Sequence, residues 1–183
     1  MAPMASGKGI LIAHVIEKFP SIKRLVSCTT RAIRPSEVDG KDYFFISREE
    51  FEQKTLAGEF IEWAEFSGNL YGTLKSQLLT HLEAGHVAIN EIDLHGVRNI
   101  LSLISREQCT VIYIDAGDWE TLKARALSRA PMTEKELTLR HIHYLEETSY
   151  KHDADFIVSN NDGELEEAKQ KLDAIVENII LHT

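Results

Sequence analysis

The sequence is short of cysteine and proline and has no basic excess, and each shortage excludes a class of protein. Cys28 and Cys109 are the only two cysteines, far apart and outside any CxxC pattern. Two reduced, packed thiols are therefore expected in preference to a structural disulfide. No apolar run approaches the ~20 residues that cross a bilayer. The opening MAPMASGKGILIAHVIEKF puts no basic segment ahead of an apolar one and no small-residue cleavage pattern after it. A secretion signal is not expected, and the cytoplasm is the default compartment. The net charge of -9 argues against a broad nucleic-acid surface, because phosphate backbones are bound through a basic excess. A small anion held by a few converging arginines remains compatible with it.

What is present describes an ordinary globular chain. Hydrophobic residues at 43% and charged residues at 27% of 183 suit one well-cored domain and not a disordered one. No repeat, low-complexity tract or linker interrupts it. Strand-like runs at 24–28, 86–92, 110–114 and 156–159 alternate with helical patterns, which predicts α/β architecture with a largely parallel sheet. A helix is predicted over 9–17, closed by Pro20. Further helices are predicted from Asp118 to Ser128, from a Thr133–Glu136 capping box to about Glu147, and over 164–180. Between the first two strands the texture changes. Strands at 42–46 and 60–66 flank a helix opened by a Ser47–Glu50 capping box, and Asn69-Leu70-Tyr71-Gly72 reads as a turn.

The run Ala2-Pro3-Met4-Ala5-Ser6-Gly7-Lys8-Gly9 sits at the spacing of GxxxxGK[ST]. In that motif glycines let backbone N–H groups curl around phosphate oxygens at a helix N-terminus, a lysine reaches the terminal phosphates, and a hydroxyl binds Mg²⁺. Gly7, Lys8 and the helix that follows fit. Ala2 in place of the first glycine, and Gly9 in place of the hydroxyl residue, do not. Met1 alone stands where a strand leads into such a loop; an apolar run of about six residues encoded ahead of it would have normal strand length.

The stretch Ser27-Cys28-Thr29-Thr30-Arg31-Ala32-Ile33-Arg34-Pro35-Ser36-Glu37-Val38-Asp39-Gly40-Lys41-Asp42-Tyr43 gathers hydroxyls, two arginines and a tyrosine just after a strand. Arginine presents a planar fork that matches phosphate oxygens, and hydroxyls add shorter bonds. This stretch resembles the GMP-binding signature of guanylate kinases. The similarity continues through residues 60–73, through Asn90-Glu91-Ile92-Asp93-Leu94-His95-Gly96, and on to Arg125, Arg129, Arg140 and Asn160. The resemblance implies that Arg31, Arg34, Tyr43 and Tyr71 hold the GMP phosphate, and that Ser27, Glu62, Thr73 and Asp93 contact guanine. Guanine offers an N1–H and N2–H₂ donor pair that a carboxylate such as Glu62 can accept together, and adenine has no such pair.

The same resemblance implies a nucleotide-binding α/β fold of the P-loop type: a parallel sheet flanked by helices, with an inserted GMP-binding subdomain and a helical lid. A single domain over 1–183 is expected, with a core of 1–30 and 83–183, an insert of about 31–82 and a lid of about 125–145. ATP would lie on residues 2–9 and Asn160, with Lys8, Arg34, Arg125, Arg129 and Arg140 neutralising charge on the transferring phosphoryl group. Glu91 and Asp93 would organise Mg²⁺, through water. Departures from the family pattern include His95 for a glutamine and Ala130-Pro131-Met132 after the lid arginines. The expected activity is transfer of the γ-phosphoryl group of ATP to GMP, by a monomer or homodimer without nucleic-acid or membrane partners. The alternative is a catalytically impaired binding module that keeps the GMP cleft, as scaffold proteins do.

Overall fold

Local signals in the sequence place most of the elements. The computed structural model describes residues 1–66 and 68–182; Ser67, inside the family-like stretch 60–73, and Thr183 lie outside the described residues. The chain divides into two compact units, Met1–Phe19 with Glu91–Thr183, and Pro20–Asn90.

In the first unit, Gly7 turns the chain with φ 83° into helix α1 (Lys8–Lys18), which buries Leu11, Ile12 and Val15. A left-handed residue at this point favours glycine, because a Cβ there is strained. Later in the unit come α4 (Leu94–Leu103), strand β7 (Ile112–Asp115), α5 (Trp119–Leu127), α6 (Glu134–Ser149), β8 (Phe156–Ser159) and α7 (Leu165–Leu181). The second unit holds β1 (Lys23–Arg24), β2 (Cys28–Thr29), β3 (Phe44–Phe45), α2 (Arg48–Leu56), β4 (Phe60–Phe66), β5 (Asn69–Leu74), α3 (Lys75–Glu83) and β6 (Ala88–Ile89).

β7 and β8 pair in parallel from Ile112↔Phe156 to Asp115↔Ser159, and Tyr113, Ile114 and Val158 carry that pair into the core. Met1 runs beside β7: its amine donates to the Ile112 carbonyl at 2.7 Å and its carbonyl accepts from the Ile114 N–H at 3.0 Å. α7 buries Ala168, Leu172 and Val176 on one face and packs against α1. The contact is polar at its rim, where His14 Nε2 and Lys18 Nζ meet the two oxygens of Asp173 at 2.8 and 2.9 Å.

The second unit contains a parallel pair, β1 with β6, and a four-stranded sheet in the order β3-β2-β5-β4. Its core gathers Cys28, Phe51, Phe60 and Leu70, with Phe44, Ile46 and Leu74 packed against them. The Phe51 ring stacks on Phe60 with centroids 4.4 Å apart. The Ser47 hydroxyl accepts from the Glu50 N–H at 3.0 Å and starts α2, which is the serine half of the expected box. The Thr133–Glu136 box at the head of α6 is complete in both directions.

The α/β expectation holds, with parallel pairs in both units. Several elements differ from the sequence reading. The strand expected over 24–28 is two short strands, β1 and β2, in different sheets, and of the strand expected over 86–92 only β6 (Ala88–Ile89) forms. Asn69-Leu70-Tyr71-Gly72 is not a turn but the start of β5, because its backbone pairs with β2 on one side and β4 on the other. Helices α3 and α4 carry no strong local signal apart from Asp93, whose side chain accepts from the Gly96 N–H and caps α4. α5 runs from Trp119 to Leu127 between its caps Asp118 and Ser128, close to the expected bounds, and Arg129 follows it. Both cysteines are free thiols, and burial pushes the Cys28 thiol up to about 11. Among the described residues no helix is long and apolar enough to cross a membrane.

Candidate active site

The predicted site residues fall in both units, and each group is described by itself. In the first unit residues 2–7 form a loop whose Ala2 and Ser6 are buried, and Lys8 and Gly9 open α1. Ala5 and Gly7 both take positive φ, 57° and 83°. Alternation of this kind turns successive N–H groups toward one concave side, a geometry suited to anions. α1 opens at Gly7 without a side-chain cap, so its first amides stay available to an acceptor. The Ser6 hydroxyl is buried without a hydrogen-bond partner. Asn160, buried at the end of β8, donates from Nδ2 to the Ser6 carbonyl at 2.7 Å. Its amide nitrogen also occupies the space that a Cβ on Gly7 would need.

Lys8 Nζ donates to the Ala2 carbonyl at 2.9 Å and lies 3.5 Å from Glu91 Oε1. The lysine thus bends back over its own loop. Arg140 on α6 reaches the same loop, with Nη1 3.4 Å from the Met4 sulfur. Arg125 is held by Asp162, whose Oδ1 accepts from Nε and Nη2 at 3.0 and 2.7 Å, and by the Asn160 carbonyl at 3.3 Å. Arg129 is exposed. The structure therefore brings Lys8, Glu91 and Arg140 to the loop, and ties Arg125 to the segment after β8.

One neighbour escaped the sequence reading. Burial pushes the Glu147 carboxyl up to about 7; Lys8 opposes the rise, and Asp93 and Glu146 add to it. In the sequence, Glu146-Glu147 looks like a solvated helix face, and no local pattern separates the two. Trp119 stacks on His141 with centroids 4.5 Å apart and meets Tyr144 at a tilt, 5.8 Å away. That contact joins α5 to α6 and gives His141 a packing role.

Mg²⁺ prefers oxygen ligands and commonly keeps several waters, using one or two carboxylates plus substrate phosphates. Among the described residues no group of three or more acidic, histidine or cysteine side chains could form a full protein cage. Glu91 near Lys8, with Asp93 two residues on, is a donor set of the sparse kind that Mg²⁺ accepts.

In the second unit, Ser27, Thr73 and Glu62 form a string of hydrogen bonds. Ser27 Oγ lies 3.1 Å from Thr73 Oγ1, and Thr73 Oγ1 donates to Glu62 Oε1 at 2.8 Å. Thr73 is fully buried on β5 and faces Glu62 across the antiparallel pair. The close approach of these strands depends on Gly72, where a Cβ would meet the Glu62 carbonyl and Trp63 Cβ at 2.9 Å and the Phe51 ring at 3.0 Å. Arg31 sits over the Tyr43 and Phe45 rings at 5.6 and 5.7 Å, and Tyr43 meets Tyr71 edge-on at 5.9 Å. Three of the four predicted phosphate-binding side chains thus cluster. The fourth, Arg34, has an exposed side chain, while its N–H donates to Glu37. Asp93 belongs to the first unit, where it caps α4.

Comparison with known proteins bears on the chain as a whole. The family model described as guanylate kinase matches residues 1–179. A guanylate kinase of Rubrobacter xylanophilus is 38% identical over 178 residues, covering 97% of this chain and 91% of that protein. One of Thermotoga maritima is 37% identical over 175 residues, covering 95% and 82%. The crystal structure of guanylate kinase from Anaplasma phagocytophilum superimposes with a TM-score of 0.67 at 28% identity, covering 97% of this chain and 82% of that one. With a family model matched over almost its whole length and relatives more than a third identical to it, the chain belongs to the guanylate kinase family.

Proposed function

We propose that this chain catalyses transfer of the γ-phosphoryl group of ATP to GMP, giving ADP and GDP. The observation that carries the reading is the buried Thr73 hydroxyl donating to Glu62, with Ser27 beside it. A carboxylate anchored in this way presents acceptors in a fixed direction, and the N1–H and N2–H₂ edge of guanine supplies the matching donors. Asp93 completes the guanine contacts. Arg31, Arg34, Tyr43 and Tyr71 bind the GMP phosphate, the first through paired N–H bonds and the tyrosines through single O–H bonds.

ATP is held by the run 2–9, through the backbone N–H groups of its residues other than Pro3, with Asn160 on the adenine side. Phosphoryl transfer asks a protein for alignment and charge neutralisation more than for covalent chemistry. Lys8 supplies a cation at the loop, and Arg125, Arg129 and Arg140 supply the others. Glu91 and Asp93 would hold Mg²⁺, which when bound offsets the charge of the ATP phosphates. In this reading residues 31–82 are the GMP-binding insert and about 125–145 the lid of one domain.

The test is ADP release by the purified chain with GMP, AMP, UMP and CMP as acceptors. Turnover with GMP and little with the others is expected. Equal turnover with AMP would remove the guanine assignment, and GMP binding without turnover would identify the chain as a binding module.

A further inference from the structure

The residue that organises Arg31 is Glu37, which none of the binding roles above includes. Glu37 Oε1 accepts from Arg31 Nη2 at 2.6 Å and Oε2 accepts from Nη1 at 3.0 Å. The same Oε2 accepts from the Arg34 N–H at 2.9 Å. Arg31 Nη1 has a second bond, to the Ala32 carbonyl at 2.8 Å. Both side chains of the pair are largely covered, 15% and 14% exposed. An isolated, fully exposed pair is worth little. This one is two-pronged, mostly shielded and tied to the main chain at two points.

A guanidinium has five N–H donors in a rigid plane. Glu37 and Ala32 together take both hydrogens of Nη1 and one of Nη2. The end of the fork is thereby committed, and the fork that can meet two phosphate oxygens is the side formed by Nε and the outer Nη2 hydrogen. The guanidinium also lies over the Tyr43 and Phe45 rings, and the Tyr71 side chain reaches it.

We propose that Glu37 is a positioning residue of the GMP phosphate site, holding Arg31 by its terminal nitrogens so that its side edge is presented to the phosphate. The proposal rests on the GMP-kinase reading and names a residue that reading does not use. It carries an electrostatic cost, since Glu37 brings a negative charge toward a site meant for a dianion. Two effects of opposite sign therefore compete. If charge dominated, neutralising Glu37 would tighten GMP binding; if pre-organisation dominates, it weakens binding, because an arginine free to sample many rotamers must be ordered by each ligand. The bidentate geometry and the shared bond to the Arg34 N–H favour the second.

The experiment compares the wild-type chain with Glu37→Gln, Glu37→Asp and, as a distant control, Glu166→Gln. Dissociation constants for GMP and guanosine are read by calorimetry, and KM for GMP and ATP by ADP release. For Glu37→Gln the GMP constants are expected to rise roughly tenfold, while guanosine binding and KM for ATP stay unchanged. Glu37→Asp recovers part of the loss, because a shorter carboxylate can still reach one terminal nitrogen. Unchanged or tighter GMP binding in Glu37→Gln would overturn the proposal, as would equal losses for GMP and guanosine, which indicate a loop that has merely loosened. A wild-type chain that fails to bind GMP would instead remove the functional reading, a result distinct from a normal wild type with an indifferent variant.

Discussion

The hydroxyl of Thr73 donates to Glu62 Oε1 at 2.8 Å from a position with no solvent exposure. A buried hydroxyl needs a partner, so this bond both satisfies β5 and holds the β4 carboxylate in one orientation.

Replacing Glu62 with Gln keeps the shape and a hydrogen-bonding group but turns one acceptor into a donor. That donor opposes the N1–H and N2–H₂ edge of guanine. We expect kcat/KM for GMP to fall by about 100-fold or more, with a smaller change for AMP. Steady-state kinetics with both acceptors check this, and an equal fall for the two would disprove it.

Lys8 is the cation at the loop, bonded to Ala2 and close to Glu91. Lys8→Met preserves the stem and removes the charge. Turnover with GMP should drop by about 100-fold or more, as when one preorganised electrostatic group is lost, with GMP affinity unaffected. Retention of full activity would exclude Lys8 from the reaction.

Gly72→Ala would force a methyl group against the Glu62 carbonyl, Trp63 and the Phe51 ring. Two of those contacts are backbone or Cβ atoms that cannot swing away. Overpacking of this kind costs about 1–3 kcal/mol, seen as a lower Tm in thermal denaturation. An unchanged Tm would mean that the strands separate easily.

Glu147 sets a pH dependence whose sign follows from its raised value. The folded carboxyl titrates near 7, against 4.5 when unperturbed. Between those values the folded carboxyl holds more proton than the unfolded one, so its contribution to stability falls as pH rises and levels off above about 7. The contribution is up to about 3 kcal/mol. Burial lowers the neighbouring Met1 amine to about 5, which acts in the opposite direction over the same range, so the readout is a difference between two chains. In urea unfolding of the nucleotide-free chains, Glu147→Gln should gain stability relative to the wild type as pH rises from 5 to 8, and a difference that does not change with pH would assign the effect elsewhere.

Legibility in the sequence tracked the range of the forces involved. The strands over 60–66 and 156–159 are found where the pattern puts them, because alternation and β-branched runs are local. The Thr133–Glu136 box is found because both its bonds span three residues. The segment 69–74 was misread for the opposite reason. Its Asn and Gly are turn residues in isolation, yet pairing on both edges makes it a strand.

By itself, the sequence determined the α/β class, the caps at Ser47 and Thr133 and the family, since the Ser27–Tyr43 stretch and the motifs after it carry the guanylate kinase pattern in order. Only the tertiary structure decided that Asn160 would hold the Ser6 carbonyl across 154 residues, that Glu147 would be the burdened carboxylate of an ordinary-looking pair, and that Arg125 would be tied to Asp162. Local preference acts over a turn or two of chain. Which distant groups meet, and which charge is buried, is settled when apolar faces pack and every polar group carried in with them must find a partner.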